Sequence, residues 1–196
     1  MATAGSESSE PILLVVFFRS EAGSEPVRDW LLGLKREVRK AVGRDIKTAQ
    51  YGWPLGMPLI RKLEPGLWEV RSHISEGIAR VMFTGDGPED GAAASRLATR
   101  SDVMDKQHIG GDFDDFLRDE RLLDDAEATA AKRVIAFQIA QEMKRARLTK
   151  SEMARRMKTS RPALDRLLDP KNRSVTLSTL ERAASAVGKK LRVELT

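Results

Sequence analysis

The run Ile12-Leu-Leu-Val-Val-Phe-Phe18 is continuously apolar and rich in β-branched and aromatic residues, which predicts a short buried strand. The apolar positions then shift to three- and four-residue spacing. Val27, Trp30, Leu31 and Leu34 stripe a helix that Ser24 would cap and Pro26 would open. Val38, Val42 and Ile46 stripe a second helix over about Arg36–Ala49. Beyond the turn-rich stretch Tyr51-Gly-Trp-Pro-Leu-Gly56, the segments Leu59–Leu63, Leu67–Ile74 and Ile78–Thr84 read as strands. Ser75-Glu-Gly77 joins the last two as a hairpin. The order β-α-α-β-β-β predicts a small α+β unit.

After Thr84 the pattern collapses into Gly85-Asp-Gly-Pro-Glu-Asp-Gly-Ala-Ala-Ala-Ser95, and no periodicity returns until Asp112. This predicts a first domain over 1–84, a linker over 85–111 and a second domain over 112–196. The second domain opens with an acidic amphipathic helix that carries Phe113, Phe116 and Leu117 on one face, followed by Leu122 and Leu123. Such a stripe needs a surface to dock on. A longer helix over Ala128–Arg147 places Val134, Ile135, Ile139 and Met143 as core positions.

Thr149-Lys-Ser-Glu152 has the spacing of a capping box and starts a short helix that breaks at Lys158-Thr159. Ser160 then caps a second short helix, with Pro162 in its first turn. Helix, tight turn, helix is the layout with which a protein enters the major groove of DNA. Ala154 is the small residue at the crossing, and Met157, Leu164 and Leu167 set the angle. Thr149, Ser160, Arg161, Asp165 and Arg166 are the residues placed to reach bases and phosphates. Many turns of this kind carry Gly where Lys158 stands, so a strained or longer turn is expected here. Ser178-Thr-Leu-Glu181 reads as another capping box, with Leu177, Leu180, Ala184 and Val187 as a core stripe and Gly188 as a C-cap. Leu191, Val193 and Leu195 alternate with polar residues as a short C-terminal strand, which would pair across a dimer.

Charge sharpens this division. From Ala128 to Thr196 there are seventeen basic and six acidic residues, a net +11, whereas Asp112–Glu127 holds two basic and eight acidic residues, a net −6. A basic module suits a polyanion and an acidic segment suits a basic surface; solubility alone is the plainer reading of the same numbers. The chain has no cysteine and two histidines, which excludes disulfides and thiolate chemistry and leaves too few ligands for a structural zinc; no cofactor is expected. No apolar run is long enough to cross a bilayer, and Met1–Pro11 lacks the pattern of a secretion signal. A cytoplasmic protein with no membrane partner is expected.

From Met104 onward, in Ile135–Met143, Met153-Ala-Arg-Arg-Met-Lys-Thr-Ser160, Leu164-Asp-Arg-Leu-Leu-Asp-Pro170 and Val175-Thr-Leu177, the chain resembles HigA-like antitoxin repressors of the XRE type, and Met104 looks like such a protein's own start. Residues from about Ile12 to Thr84 resemble the phage-derived branch of the RelE/HigB superfamily of ribosome-dependent mRNA-cleaving toxins. The matching pieces are Val27-Arg-Asp-Trp-Leu31, Gly56-Met-Pro-Leu59, Lys62-Leu63, Leu67-Trp-Glu-Val-Arg71 and Ala79-Arg-Val81. That resemblance implies metal-free cleavage by 2′-OH attack, with Lys62, Arg71 and Arg80 as the matching basic positions. Read without function, each is an ordinary solvated strand charge. His73 shares a strand face with Arg71 but is not counted as a base. The family's terminal strand, which completes its sheet and site, is missing after Thr84, so the catalytic set is vestigial or incomplete. A frameshift through Asp90–Ser95 that fused two genes would account for the loss.

The resemblances imply a sequence-specific repressor of a toxin–antitoxin operon, acting as a homodimer on operator DNA and carrying an inactive toxin-like domain. A HigB-like toxin, in cis or in trans, is its expected protein partner. The acidic helix would cover the basic toxin face. The alternative is a ribosome-dependent mRNA endoribonuclease held inactive by its fused antitoxin.

Overall fold

Structure is described for residues 11–85, 106–169, 172 and 175–192 in a computed structural model of the chain. It divides into two units, Glu10–Ala130 and, for the described residues, Ala131 onward.

In the first unit, strand β1 (Val16–Phe18) is followed by helices α1 (Pro26–Gly33) and α2 (Arg36–Gly52). Strands β2 (Ile60–Glu64), β3 (Leu67–Ile74) and β4 (Gly77–Thr84) then form an antiparallel sheet in the order β2-β3-β4. Its register sets Lys62 opposite Trp68, Arg71 opposite Arg80 and Ile74 opposite Gly77, so Ser75 and Glu76 form the hairpin turn. Alternation gives the sheet two unlike faces. Trp68, Val70 and Ser72 are buried on one, where Trp53 at the end of α2 packs edge-on against Trp68 and Phe83 at ring separations of 4.8 and 5.4 Å. Arg71, His73, Ile78, Arg80 and Met82 lie on the other.

Strand β1 does not join that sheet. It pairs antiparallel with β5 (Ile109–Asp112), which follows a 3₁₀ turn at Lys106–His108. The end of the stretch read as linker is therefore structured, and β5 escapes sequence reading because Gly110-Gly111 has no β preference. Helix α3 (Phe113–Asp119) continues from β5, capped by Asp112, whose carboxylate accepts from the amides of Asp114 and Asp115. Phe113, Phe116, Leu117 and Leu122 are buried, with both phenyl rings edge-on to Phe17. The apolar stripe of the acidic segment thus docks inside the first unit, and the divide by packing falls after Ala130 rather than at Asp112.

Three local expectations are corrected. Ser24 does not cap α1: its hydroxyl bonds that of Ser20 at 2.7 Å, and Glu25 takes the cap position without a side-chain bond. Trp30 is not a core residue, being 39% exposed. The capping box at Ser178 does not form, because Thr176 caps the helix and accepts from the Thr179 amide at 3.3 Å, which leaves Leu177 58% exposed.

Helix α4 (Leu123–Arg145) runs through the divide. In the second unit α5 (Lys150–Arg156), α6 (Arg161–Leu168) and α7 (Leu177–Ala186) surround Met143, Met153, Met157, Leu164, Leu167 and Leu180. Leu191 and Arg192 lie in no strand, and the remainder of the expected C-terminal strand falls outside the described residues, as do Asp90–Ser95 and Met104.

Candidate nucleic-acid interface

The helix pair α5–α6 is held by its caps. Thr149 and Glu152 form the expected capping box: the Thr149 amide donates to Glu152 Oε2 at 2.8 Å and the Glu152 amide donates to Thr149 Oγ1 at 3.2 Å. The Thr149 amide, followed by the Thr149 hydroxyl donating to Glu152 Oε2 at 2.7 Å, holds the Glu152 carboxyl below its ordinary range. The hydroxyl of Ser160 accepts from the Ala163 amide at 3.3 Å. Between the two helices the chain turns at Lys158 with φ +51°, the left-handed conformation that Gly adopts without strain. Met153, Ala154, Met157, Leu164 and Leu167 are buried at the crossing.

Arg161 and Arg166 on α6 are exposed, as are Arg155, Arg156 and Lys158. Asp165 is turned toward α5, where Lys150 Nζ donates to its Oδ1 at 2.6 Å. This bond draws the Asp165 carboxyl below its ordinary range. Of the five residues read as DNA-contacting, Thr149 and Ser160 spend their hydroxyls on caps and Asp165 is paired, so Arg161 and Arg166 present the open donors. Lys150 was missed by sequence reading, since its partner is visible only once the helices cross.

In the first unit the register brings Arg71 and Arg80 side by side and leaves Lys62 on the opposite face, its Nζ 5.1 Å from the Trp68 ring centroid. Glu69, 5% exposed, lies among the arginines, 3.7 Å from Arg71 Nε and 4.0 Å from Arg80 Nε. Arg71 also donates to Met57 Sδ at 3.8 Å. His73 is exposed on the same face.

A second basic surface of this unit went unread. Arg36, Lys40, Arg44, Lys47 and Tyr51 recur every three or four residues on one face of α2. Arg44 makes two bonds to Asp125, at 2.6 and 2.9 Å, and Lys40 lies 3.2 Å from the same carboxylate. The Arg44 bonds, followed by those from Lys40, overcome the opposing effect of burial and hold the Asp125 carboxyl far below the usual range. Lys47 is fully buried between Asp114 at 2.6 Å and Glu127 at 3.3 Å, with its ammonium 5.1 Å from the Tyr51 ring. Arg39 pairs with Glu120, and Arg36 donates to the Glu120 carbonyl at 3.2 Å. The acidic segment expected to cover a basic face covers this one.

Among the described residues, no helix is long and apolar enough to cross a membrane. The fold and its basic surfaces define a two-part chain, an α+β unit with an arginine cluster followed by a helical unit with the helix-turn-helix layout. Residues 29–90 match the family model described as phage-derived protein Gp49-like, and residues 117–196 match one described as a helix-turn-helix domain. No curated protein and no solved structure matches the chain.

Proposed function

We propose that the chain is a sequence-specific repressor of a toxin–antitoxin operon, in which an XRE-type, HigA-like module reads operator DNA and a HigB-like domain is carried as a bound partner. The observation that carries this reading is the capped α5–α6 pair with Arg161 and Arg166 open on α6. A homodimer would place two such helices on a palindromic site, and cytoplasmic operation follows from that role. In this reading the toxin-like domain is catalytically inactive. Lys62 faces away from Arg71 and Arg80, and Glu69 lies within 4.0 Å of both arginines and offsets one of their two charges, which weakens the field that would meet a developing phosphorane.

The test is titration of the full chain onto its own upstream DNA across a salt series, with Arg161→Ala/Arg166→Ala alongside. Repression requires specific, salt-sensitive binding that the double variant loses. Binding that is equal on unrelated DNA rejects it.

A second reading, a metal-free ribosome-dependent mRNA endoribonuclease restrained by its own antitoxin half, is favoured by the pairing of Arg71 with Arg80 across β3 and β4. Cleavage of ribosome-bound mRNA by the wild-type chain but not by Arg71→Ala/Arg80→Ala would establish it.

A further inference from the structure

The acidic segment does more than seat an apolar stripe. It supplies a carboxylate to four cations of α2: Glu120 to Arg39, Asp125 to Lys40 and Arg44, and Asp114 and Glu127 to Lys47. Lys40, Arg44 and Lys47 step along one helix face at about 4.5–6 Å of axial rise per step, a ladder of regularly spaced positive charge. A stripe of this kind is costly to keep in a folded core unless it is neutralised, and four carboxylates neutralise it here. At its far end Tyr51 offers a ring beside Lys47, with its hydroxyl 3.4 Å from Glu127. Spaced cations that end on an aromatic ring are the chemistry that holds a single strand, with cations tracking phosphates and the ring stacking a base. A duplex has no unstacked base to give that ring.

We propose that the α2 stripe Lys40–Arg44–Lys47–Tyr51 is a binding site for single-stranded nucleic acid, and that the acidic segment Asp114–Glu127 occupies it as a carboxylate stand-in for the phosphate backbone. The site is separate from the helix-turn-helix and stands whether or not operator binding holds. Any strand that enters must displace part of the segment, so the two compete for one surface.

The test uses the full chain with Arg161→Ala/Arg166→Ala throughout, which silences α6. In that background Glu120→Gln/Asp125→Asn removes the carboxylates from Arg39, Lys40 and Arg44, with Arg39 still bonded to the Leu31, Leu32 and Leu34 carbonyls, while Lys47 keeps both of its own. Asp115→Asn/Asp119→Asn makes the same charge change at exposed positions as a control. The probes are a 12-nucleotide RNA, the DNA strand of the same sequence, and its duplex. The unmasked variant should bind the single strands at least about tenfold more tightly than the control, with a salt slope steeper by about 0.7 for each added phosphate contact. Adding Arg44→Gln should remove the gain. Equal tightening in the control, a gain that survives Arg44→Gln, or a gain confined to the duplex would overturn the proposal. RNA and DNA strands binding alike would assign recognition to phosphate and base, and an RNA preference would add a 2′-hydroxyl contact. Should the unmasked variant unfold, hydrogen exchange of its still-masked Arg161→Ala/Arg166→Ala parent decides: excess RNA strand must speed exchange of the Phe113–Asp119 amides, and no change at saturating RNA rejects the site.

Discussion

The ammonium of Lys47, fully buried in α2, lies 2.6 Å from Asp114 Oδ1 on α3, an ion pair between residues far apart in sequence. Breaking a buried pair costs most on the side that leaves the charge stranded. Asp114 is a quarter exposed and can turn to water, whereas Lys47 cannot. We expect Asp114→Ala to destabilise the first unit by about 2 kcal/mol, less than the full 3–5 because Glu127 remains, and Lys47→Met to cost less than that. Trp30, Trp53 and Trp68 all lie in this unit, so denaturant unfolding followed by tryptophan fluorescence reads it alone. The opposite ranking would show that the carboxylate, not the ammonium, is the stranded partner.

Gly110 is where β5 passes closest to its neighbours. A Cβ there would fall 2.6 Å from Glu25 Oε1 and 2.7 Å from the Phe17 carbonyl oxygen, while one at Gly111 would meet nothing nearer than 3.5 Å. Gly110→Ala should therefore expose the amides of Val16–Phe18 to faster hydrogen exchange, and Gly111→Ala should leave them protected. Glu25 also accepts from the Gly111 amide at 2.8 Å, so Glu25→Gln should weaken the β1–β5 pairing more mildly than the added methyl group.

Tyr51 is the chain's single tyrosine, and burial, aided by the nearby Glu127 and Asp114 carboxylates, pushes its phenol up to about 12. A folded-state value above the unfolded one contributes stability that is complete below about 10 and is lost as pH climbs from there through about 12. Ultraviolet titration of tyrosinate should show that high midpoint in the native chain. Glu127→Gln should lower it; an unchanged midpoint would leave burial and Asp114 as the causes.

Lys158 holds φ +51° in the turn between α5 and α6. Glycine there sheds the left-handed penalty and gives back part of it as chain entropy, so Lys158→Gly should stabilise the helical unit by about 0.5–1 kcal/mol. Thermal melting followed by helical circular dichroism provides the check, and Lys158→Ala, which keeps the Cβ, should gain nothing.

What the sequence disclosed was local. The capping box at Thr149, the cap at Ser160, the left-handed turn at Lys158 and the β3–β4 hairpin are each set by residues within a few positions of one another, and each stands where their chemistry puts it. What it concealed was long-range. Ile12–Phe18 reads as one short buried strand, but only Val16–Phe18 is extended, and its partner lies some ninety residues on in a Gly-Gly segment without periodicity. The family resemblance groups Lys62 with Arg71 and Arg80, whereas strand alternation and register assign it to the other face. The α2 cations carry no signal in the sequence because their carboxylates belong to a segment some seventy to eighty residues on.

The acidic segment and the helix it covers belong to one covalent chain, and that changes the order of the reaction that joins them. Closure onto α2 is first order, so its equilibrium does not depend on how much protein is present, and dilution cannot release it as it would release a separate inhibitor. Synthesis also fixes the ratio of cover to covered at one to one, whatever the rate of expression. Control over this contact has to come through cutting the chain, competing for the surface or changing the charge on it, because supply offers no handle.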